Sequence, residues 1–289
     1  MEQVNLNIAN IKFKILMPKD TIFKELKSFQ AEKTDINDVT IKISPEKKIN
    51  GINGKLIHNL ELEWYTTEQN YYHHCIVKRD NESKELVARM DVSGDWSNAL
   101  ISYIPDYPNI YYYINILLIE IVFRNRILIH NGLVVHGSAV LYKNECIMFS
   151  APSGTGKSTQ ARLWEKLMDA VVINDDHPAV MLIDKEPVVY GTPWAGEKRK
   201  FINVNAPLKA VVILKQSPKN LIQRLQLHEI ISLFLPRCFL PYYDNQFMKK
   251  AMDLFELMFV KAPVYLLNCR PDKEAVDMLV AELYSTKAE

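Results

Sequence analysis

The sequence predicts an α/β protein in two parts: a β-rich (α+β) N-terminal domain over residues 1–105, and an α/β domain over residues 106–289 built around one strand, loop and helix. Three observations carry this. Apolar and polar residues alternate in short runs through the first hundred positions. Two prolines interrupt the pattern at Ile104-Pro105-Asp106-Tyr107-Pro108. Beyond them, strand-length apolar runs alternate with helix-length amphipathic ones.

In the N-terminal part, Ile11-Lys12-Phe13-Lys14-Ile15, Val39-Thr40-Ile41-Lys42-Ile43 and Leu60-Glu61-Leu62-Glu63-Trp64 should each bury one face of a strand. Further strands are expected at 75–78, 86–92 and 99–103. Asn50-Gly51 and Asn53-Gly54 read as hairpin turns because both residue types tolerate positive φ. Asp20-Thr21 ahead of Ile22 reads as the cap of a short helix. His73-His74 is not expected to hold a metal, since adjacent strand residues point to opposite faces.

Residues 109–128 are apolar on nearly all sides, with Glu120 and Arg124 four apart, and read as one helix buried between the two parts. Its tyrosines 111, 112 and 113 face three directions, which favours core packing over a stacking platform. Val134 to Val140 then reads as one apolar strand carrying His136 beside Gly137.

The stretch from Cys146 to Thr159 reads as a buried strand, a tight loop and a helix. The phosphate-loop pattern is G-x-x-x-x-G-K-[ST]; here Ala151 stands at the first glycine and Gly156-Lys157-Ser158 completes the pattern. Successive backbone N–H groups must curl inward on phosphate oxygens, and Gly154 and Gly156 permit that curl. Ser153, Gly154, Thr155, Gly156, Lys157, Ser158 and Thr159 are therefore the candidate nucleotide-binding residues. Lys157 brings a charge to the β/γ phosphates, the Ser158 hydroxyl suits Mg²⁺, and the helix N-terminus favours an anion.

Ala170 to Asn174 is a hydrophobic strand that ends in Asp175-Asp176, with Asp175 only 18 residues (175 − 157) beyond Lys157. A carboxylate there would sit beside the γ-phosphate, where it could hold Mg²⁺ or accept a proton from an attacking hydroxyl. Next come a hairpin across Asp184-Lys185 and a Gly/Pro-rich loop, residues 191–200, able to close over phosphates or acceptor. Strands at 208–214 and 264–267 and helices at 220–235, 245–260 and 272–284 complete the chain.

A hydrophobic content of 48%, a charged content of 24% and a net charge of +1 describe an ordinary globular protein and point away from nucleic acid. Cys75, Cys146, Cys238 and Cys269 form no C-x-x-C pair, so neither a metal site nor a disulfide framework is expected; Cys238 and Cys269 read as semi-buried thiols. The apolar run at 110–122 is interrupted by Asn115 and falls short of the roughly 18–20 residues that cross a bilayer. With no basic, apolar leader at Met1 to Asn7, a cytoplasmic protein is expected, without membrane contact. Assembly into a homo-oligomer is left open.

Together, His136-Gly137, the run Ser153 to Ser158 and Asn174-Asp175-Asp176 resemble the kinase domain of HPr kinase/phosphorylase and its relatives, whose fold is shared with ATP-dependent phosphoenolpyruvate carboxykinase. The resemblance covers residues 131–215 well, the C-terminal remainder loosely, and residues 1–105 not at all. It implies Asp175 as base toward a serine hydroxyl, Asp176 with Ser158 on the metal side, and His136 near the phosphates. Lys157 completes the catalytic set. The 191–200 loop resembles a segment of more distant HPr kinase-like proteins, some encoded with peptide-modification genes. Because the N-terminal part is unmatched, HPr itself is not the expected substrate, and the reverse, phosphorylase reaction is left open. The expected activity is Mg²⁺-dependent transfer of the γ-phosphoryl group of ATP (or GTP) to a hydroxyl of a peptide, a protein or a small molecule, with residues 1–105 recognising the acceptor. The competing readings are a carboxykinase-like lyase and a non-catalytic nucleotide-binding regulatory protein.

Overall fold

The computed structural model describes residues 1–51, 54–59, 62–67, 72–79, 84–196 and 199–285. They form two compact units, Met1–Ile129 and His130–Glu289, so the division falls after the helical segment that the sequence grouped with the second part. Side-chain contacts explain the shift. The carboxamide of Asn115 accepts a bond from Phe23 N (3.2 Å) and donates to Thr21 O (3.1 Å), Phe123 packs on Phe13 with ring centroids 6.4 Å apart, and Arg126 donates to Asp95 O at 2.9 Å.

The first unit contains β1 (Glu2–Ile8), β2 (Ile11–Met17), α1 (Lys24–Lys27), β3 (Val39–Pro45), β4 (Lys55–Asn59), β5 (Leu62–Thr66), β6 (Tyr72–Arg79), β7 (Lys84–Val92) and β8 (Asn98–Tyr103). The strands form one sheet in the order β1-β2-β3-β8-β7-β6-β5-β4. β3 pairs in parallel with both β2 and β8, and β8 back to β4 is an antiparallel meander. The expected hairpin at 50–54 is therefore not formed: the strands on either side of it, β3 and β4, lie five places apart. Asn53 lies outside the described residues, as do the side chains of His73, His74 and Cys75. α1 starts at Phe23 without a side-chain cap, and Asp20 sits at φ 61° instead of capping.

The unit ends in α2 (Ile110–Tyr112), a π-helical stretch Tyr113–Leu118 and α3 (Ile119–Ile129). Tyr112 is exposed and Tyr111 and Tyr113 are only half-buried, since three successive helical positions cannot all face the core; core packing of all three does not hold.

The second unit contains β9 (Gly132–Val134), β10 (Gly137–Tyr142), β11 (Glu145–Ser150), α4 (Lys157–Met168), β12 (Val171–Asn174), β13 (Ala179–Ile183), β14 (Glu186–Tyr190), β15 (Asn205–Gln216), β16 (Leu221–Arg224), α5 (Leu227–Leu233), α6 (Asn245–Lys261), β17 (Val264–Cys269) and α7 (Lys273–Tyr284). The single strand expected over 134–140 is broken at Val135-His136, and the helix expected over 220–235 is instead β16, α5 and a 3₁₀ turn, Leu235–Arg237. β16 takes strand form because it pairs with β17.

β11, β15 and β17 run parallel, so their C-terminal ends at Ser150, Gln216 and Cys269 share one edge. α4 and α7 cover one face of this sheet through Ala161, Trp164, Val276 and Leu279, against Ile147, Phe149, Val212 and Leu267. Burying each such large side chain contributes roughly 1.5–3 kcal/mol. That packing fixes the loop between β11 and α4. No helix among the described residues is long and apolar enough to cross a membrane.

Candidate functional site

Strand directions assemble the site. β10 is antiparallel to both β11 and β12, pairing Gly137 with Ser150 and Ala139 with Asn174. The ends of β11 and β12 therefore point the same way, and His136, just ahead of β10, falls between the loop after β11 and the turn after β12. The break at Val135-His136 creates this placement. It is enforced by Ser150 Oγ, which donates to His136 O (3.0 Å), and by His136 N, which donates to Arg237 O (2.8 Å).

The loop at 151–156 curls as its glycines allow. Gly154 and Gly156 stand at φ 75° and 119°, and a Cβ built on either would meet no atom within 4 Å. The backbone thus borders open space. Lys157 opens α4 with only 8% of its surface exposed, and its Nζ donates to Ala151 O at 3.1 Å. Burial is the main cause lowering its pKa; Asp176 opposes that and Arg237 adds to it. Lys157, Asp176 and Arg237 thus act on one another electrostatically. Ser158 is half-buried on the first turn of α4, and its hydroxyl bonds to neither aspartate.

The Asn174-Asp175-Asp176 turn is held by its first residue, which sequence reading named as part of the motif without a role of its own. Asn174, fully buried, accepts from Asp176 N (2.9 Å) and His177 N (2.8 Å) and donates to Thr192 O (3.0 Å) and Trp194 O (3.1 Å). It ties the turn to the 191–200 loop. Asx-turn preference was the available signal for Asn174; nothing local marked Thr192 or Trp194. Gly191 is required where that loop starts, since a Cβ there would lie 1.9 Å from Ile202 O.

The two aspartates sit in different surroundings. Asp175 is 6% exposed and accepts from Gly196 N at 2.8 Å. Burial raises its pKa above the usual carboxylate value, partly offset by the backbone N–H groups of Gly196 and Lys200. Burial pushes Asp176 the same way, but His136, His177 and Lys157 together pull its pKa below the ordinary value. His136 Nε2 lies 3.2 Å from Asp176 Oδ1, and His177 Nε2 lies 3.4 Å from Oδ2. His177, set edge-on to Phe239 with centroids 4.8 Å apart, was not singled out by sequence. Neither was Arg237, which gets there because Phe239 N bonds to Val134 O (2.9 Å) and so carries residues 237–239 alongside 134–136.

Two cavities flank the loop. One, of about 510 Å³, is bordered by Gly154–Gly156, Thr159, Gln160, Leu214 to Pro218 and Cys269 to Pro271. The other, of about 640 Å³, is bordered by Pro152 to Thr155, Ile213 to Gln216, Leu233, Arg237 and Leu266. Cys146 and Cys238 are fully buried, with thiol pKa values pushed well up by burial, so Cys238 is more enclosed than expected; Cys269 is half-buried. Among the described residues no three His, Cys, Asp or Glu side chains gather as a metal cluster. The oxygens of Ser158 and Asp176 are nonetheless the hard donors that suit Mg²⁺, which normally keeps waters and phosphate oxygens as its other ligands.

No protein-family model and no curated protein matches the chain. Among solved structures, the Hpr(Ser) kinase/phosphatase from Coxiella burnetii is similar at 9% identity with a TM-score of 0.31, over 52% of this chain and 94% of that one. At that level the functional argument rests on the site's own residues.

Proposed function

We propose that the protein is a Mg²⁺- and ATP-dependent kinase that transfers the γ-phosphoryl group to a hydroxyl, on a serine of a peptide or protein or on a small molecule, and that its second unit is a phosphate-loop domain of the HPr kinase and phosphoenolpyruvate carboxykinase kind. One observation carries the reading: a buried lysine opening a helix after an open, glycine-curled loop stands at the same sheet edge as two adjacent carboxylates whose pKa values are shifted in opposite directions. Two titratable groups pushed apart divide acid–base work between them.

In this reading the loop N–H groups, Lys157 and Arg237 hold the phosphates. Asp176, its pKa held low by Lys157, His136 and His177, would hold Mg²⁺ with Ser158, and the ion when bound would neutralise charge on the β- and γ-phosphate oxygens. Asp175, whose raised pKa makes it the stronger base, takes the proton from the acceptor hydroxyl. His136 orients Asp176 through its 3.2 Å contact. The Gly196 N–H on Asp175 supports a role for the 191–200 loop beside the acceptor, and recognition of the acceptor by the first unit completes the proposal. The test is transfer of label from γ-labelled ATP to serine-containing peptides and to free hydroxy compounds, with oxaloacetate-dependent CO₂ release as the control. Release of CO₂ without transfer would mean a lyase; nucleotide binding without either would mean a regulatory protein.

A further inference from the structure

We infer that the cavity of about 510 Å³ takes the base and ribose of an adenine nucleotide, with the Gln160 carboxamide reading the base. This rests on the nucleotide-binding reading above and goes beyond it by naming the base and the residue that selects it.

The cavity opens beside Gly154, Gly156 and Thr159, where a nucleotide whose phosphates lie on the loop leads its ribose and base, and its size is that of a small-molecule site. It lies outside the carboxyl ends of parallel β15 and β17, the usual position of ligands in open α/β sheets. Gln160 is only 2% exposed and its Nε2 has no hydrogen-bond partner among the described residues. Buried amide donors are normally satisfied, and leaving one unmade is costly. The other amide on the cavity wall is already committed: Gln216 Nε2 donates to Thr155 O at 3.3 Å. A glutamine carboxamide turns easily about its last torsion, and it pairs with the N6–H and N7 of adenine through two bonds at once.

The remaining wall fits the same base. Leu214, Pro218 and Pro271 are apolar. Arg270, also on the wall, donates to Asp272 Oδ2 (2.7 Å), Pro218 O (2.8 Å) and Glu274 Oε2 (2.5 Å), bonds that restrain a guanidinium of the kind on which a ring can stack. Guanine presents N1–H and N2–H₂ and calls for a carboxylate acceptor; among the described residues none lines this cavity.

Calorimetry with Mg²⁺ and ATP, GTP or inorganic tripolyphosphate tests the assignment on the full chain. Wild type should prefer ATP to GTP. Gln160→Met keeps the volume and removes both amide atoms; it should weaken ATP by about 5- to 100-fold, the worth of a bidentate base contact, and leave tripolyphosphate unchanged. Gln160→Glu keeps the shape, turns the donor into an acceptor and should shift preference toward GTP; it serves if the Met variant melts early. Equal ATP and GTP affinities in wild type, or an undiminished ATP preference in the variants, would overturn the inference while tripolyphosphate binding left the phosphate loop standing. Failure of wild type to bind any of the three would overturn both.

Discussion

The Asp175 and Asp176 sides of one turn are adjacent in sequence yet built on different principles. The Asp175 side is buried and its carboxylate is met by backbone N–H groups of the 191–200 loop; the Asp176 side is crowded with Lys157, His136 and His177. The difference teaches that a strand end can hold two carboxylates with opposite protonation tendencies: burial prevails over the backbone N–H groups at Asp175, whereas Lys157 and the two imidazoles prevail over burial at Asp176.

The largest test of this contrast is Asp175→Asn. If the buried Asp175 side supplies the base, phosphoryl transfer falls about 10²–10⁴-fold while Mg²⁺-ATP affinity by calorimetry changes little. A variant turning over at the normal rate would hand the role to Asp176. Asn174→Ala attacks both sides together, since it removes the side-chain bonds to the N–H groups of Asp176 and His177, to Thr192 O and to Trp194 O, the last of which keeps a bond from Thr192 Oγ1. Denaturant unfolding should show a loss of about 3 kcal/mol or more. Lys157→Ala touches the cationic side alone; ATP affinity should drop by roughly 1.5–3 kcal/mol, about 10- to 150-fold, and unchanged affinity would mean the loop is a turn and nothing more.

The smallest effect is on stability against pH, and its sign differs between the two. Asp176 has a folded pKa below its unfolded one, so it stabilises above the unfolded value and that support is lost as pH falls through the folded pKa. Asp175 has a raised folded pKa, so its ionisation costs stability as pH rises from the unfolded pKa through the folded one. At neutral pH Asp175→Asn should melt at or above the wild-type temperature and Asp176→Asn below it. Equal shifts of the same sign would erase the contrast.

Much of this site was legible because it is local. The strand, loop and α4, the short step to β12 and the paired aspartates all lie between Cys146 and Asp176, where spacing alone constrains geometry. What was missed arrives by long-range pairing. Arg237 is brought in by the Val134–Phe239 backbone bond, and β16 was taken for helix because its partner β17 lies some forty residues on. In the first unit, period-2 alternation marked β2, β3, β7 and β8 but not β1 or β4, and residues 60–61 of the strand expected at 60–64 lie outside the described residues; nor did it give the parallel β3–β8 pairing, since alternation records which face is buried and not which neighbour lies alongside.

Lys157 has one further consequence. Its Nζ has three donors and gives one to Ala151 O, so the carbonyl fixes where the ammonium stands and leaves two donors to point elsewhere. Burial alone makes that ammonium less willing to stay charged, and an anion beside it would reverse the trend. In the proposed reading, a chain of phosphates that meets these donors and also covers the loop N–H groups makes more contacts than a single orthophosphate can. The loop would then screen its ligands by how many phosphates they carry, before any other part of the ligand is read.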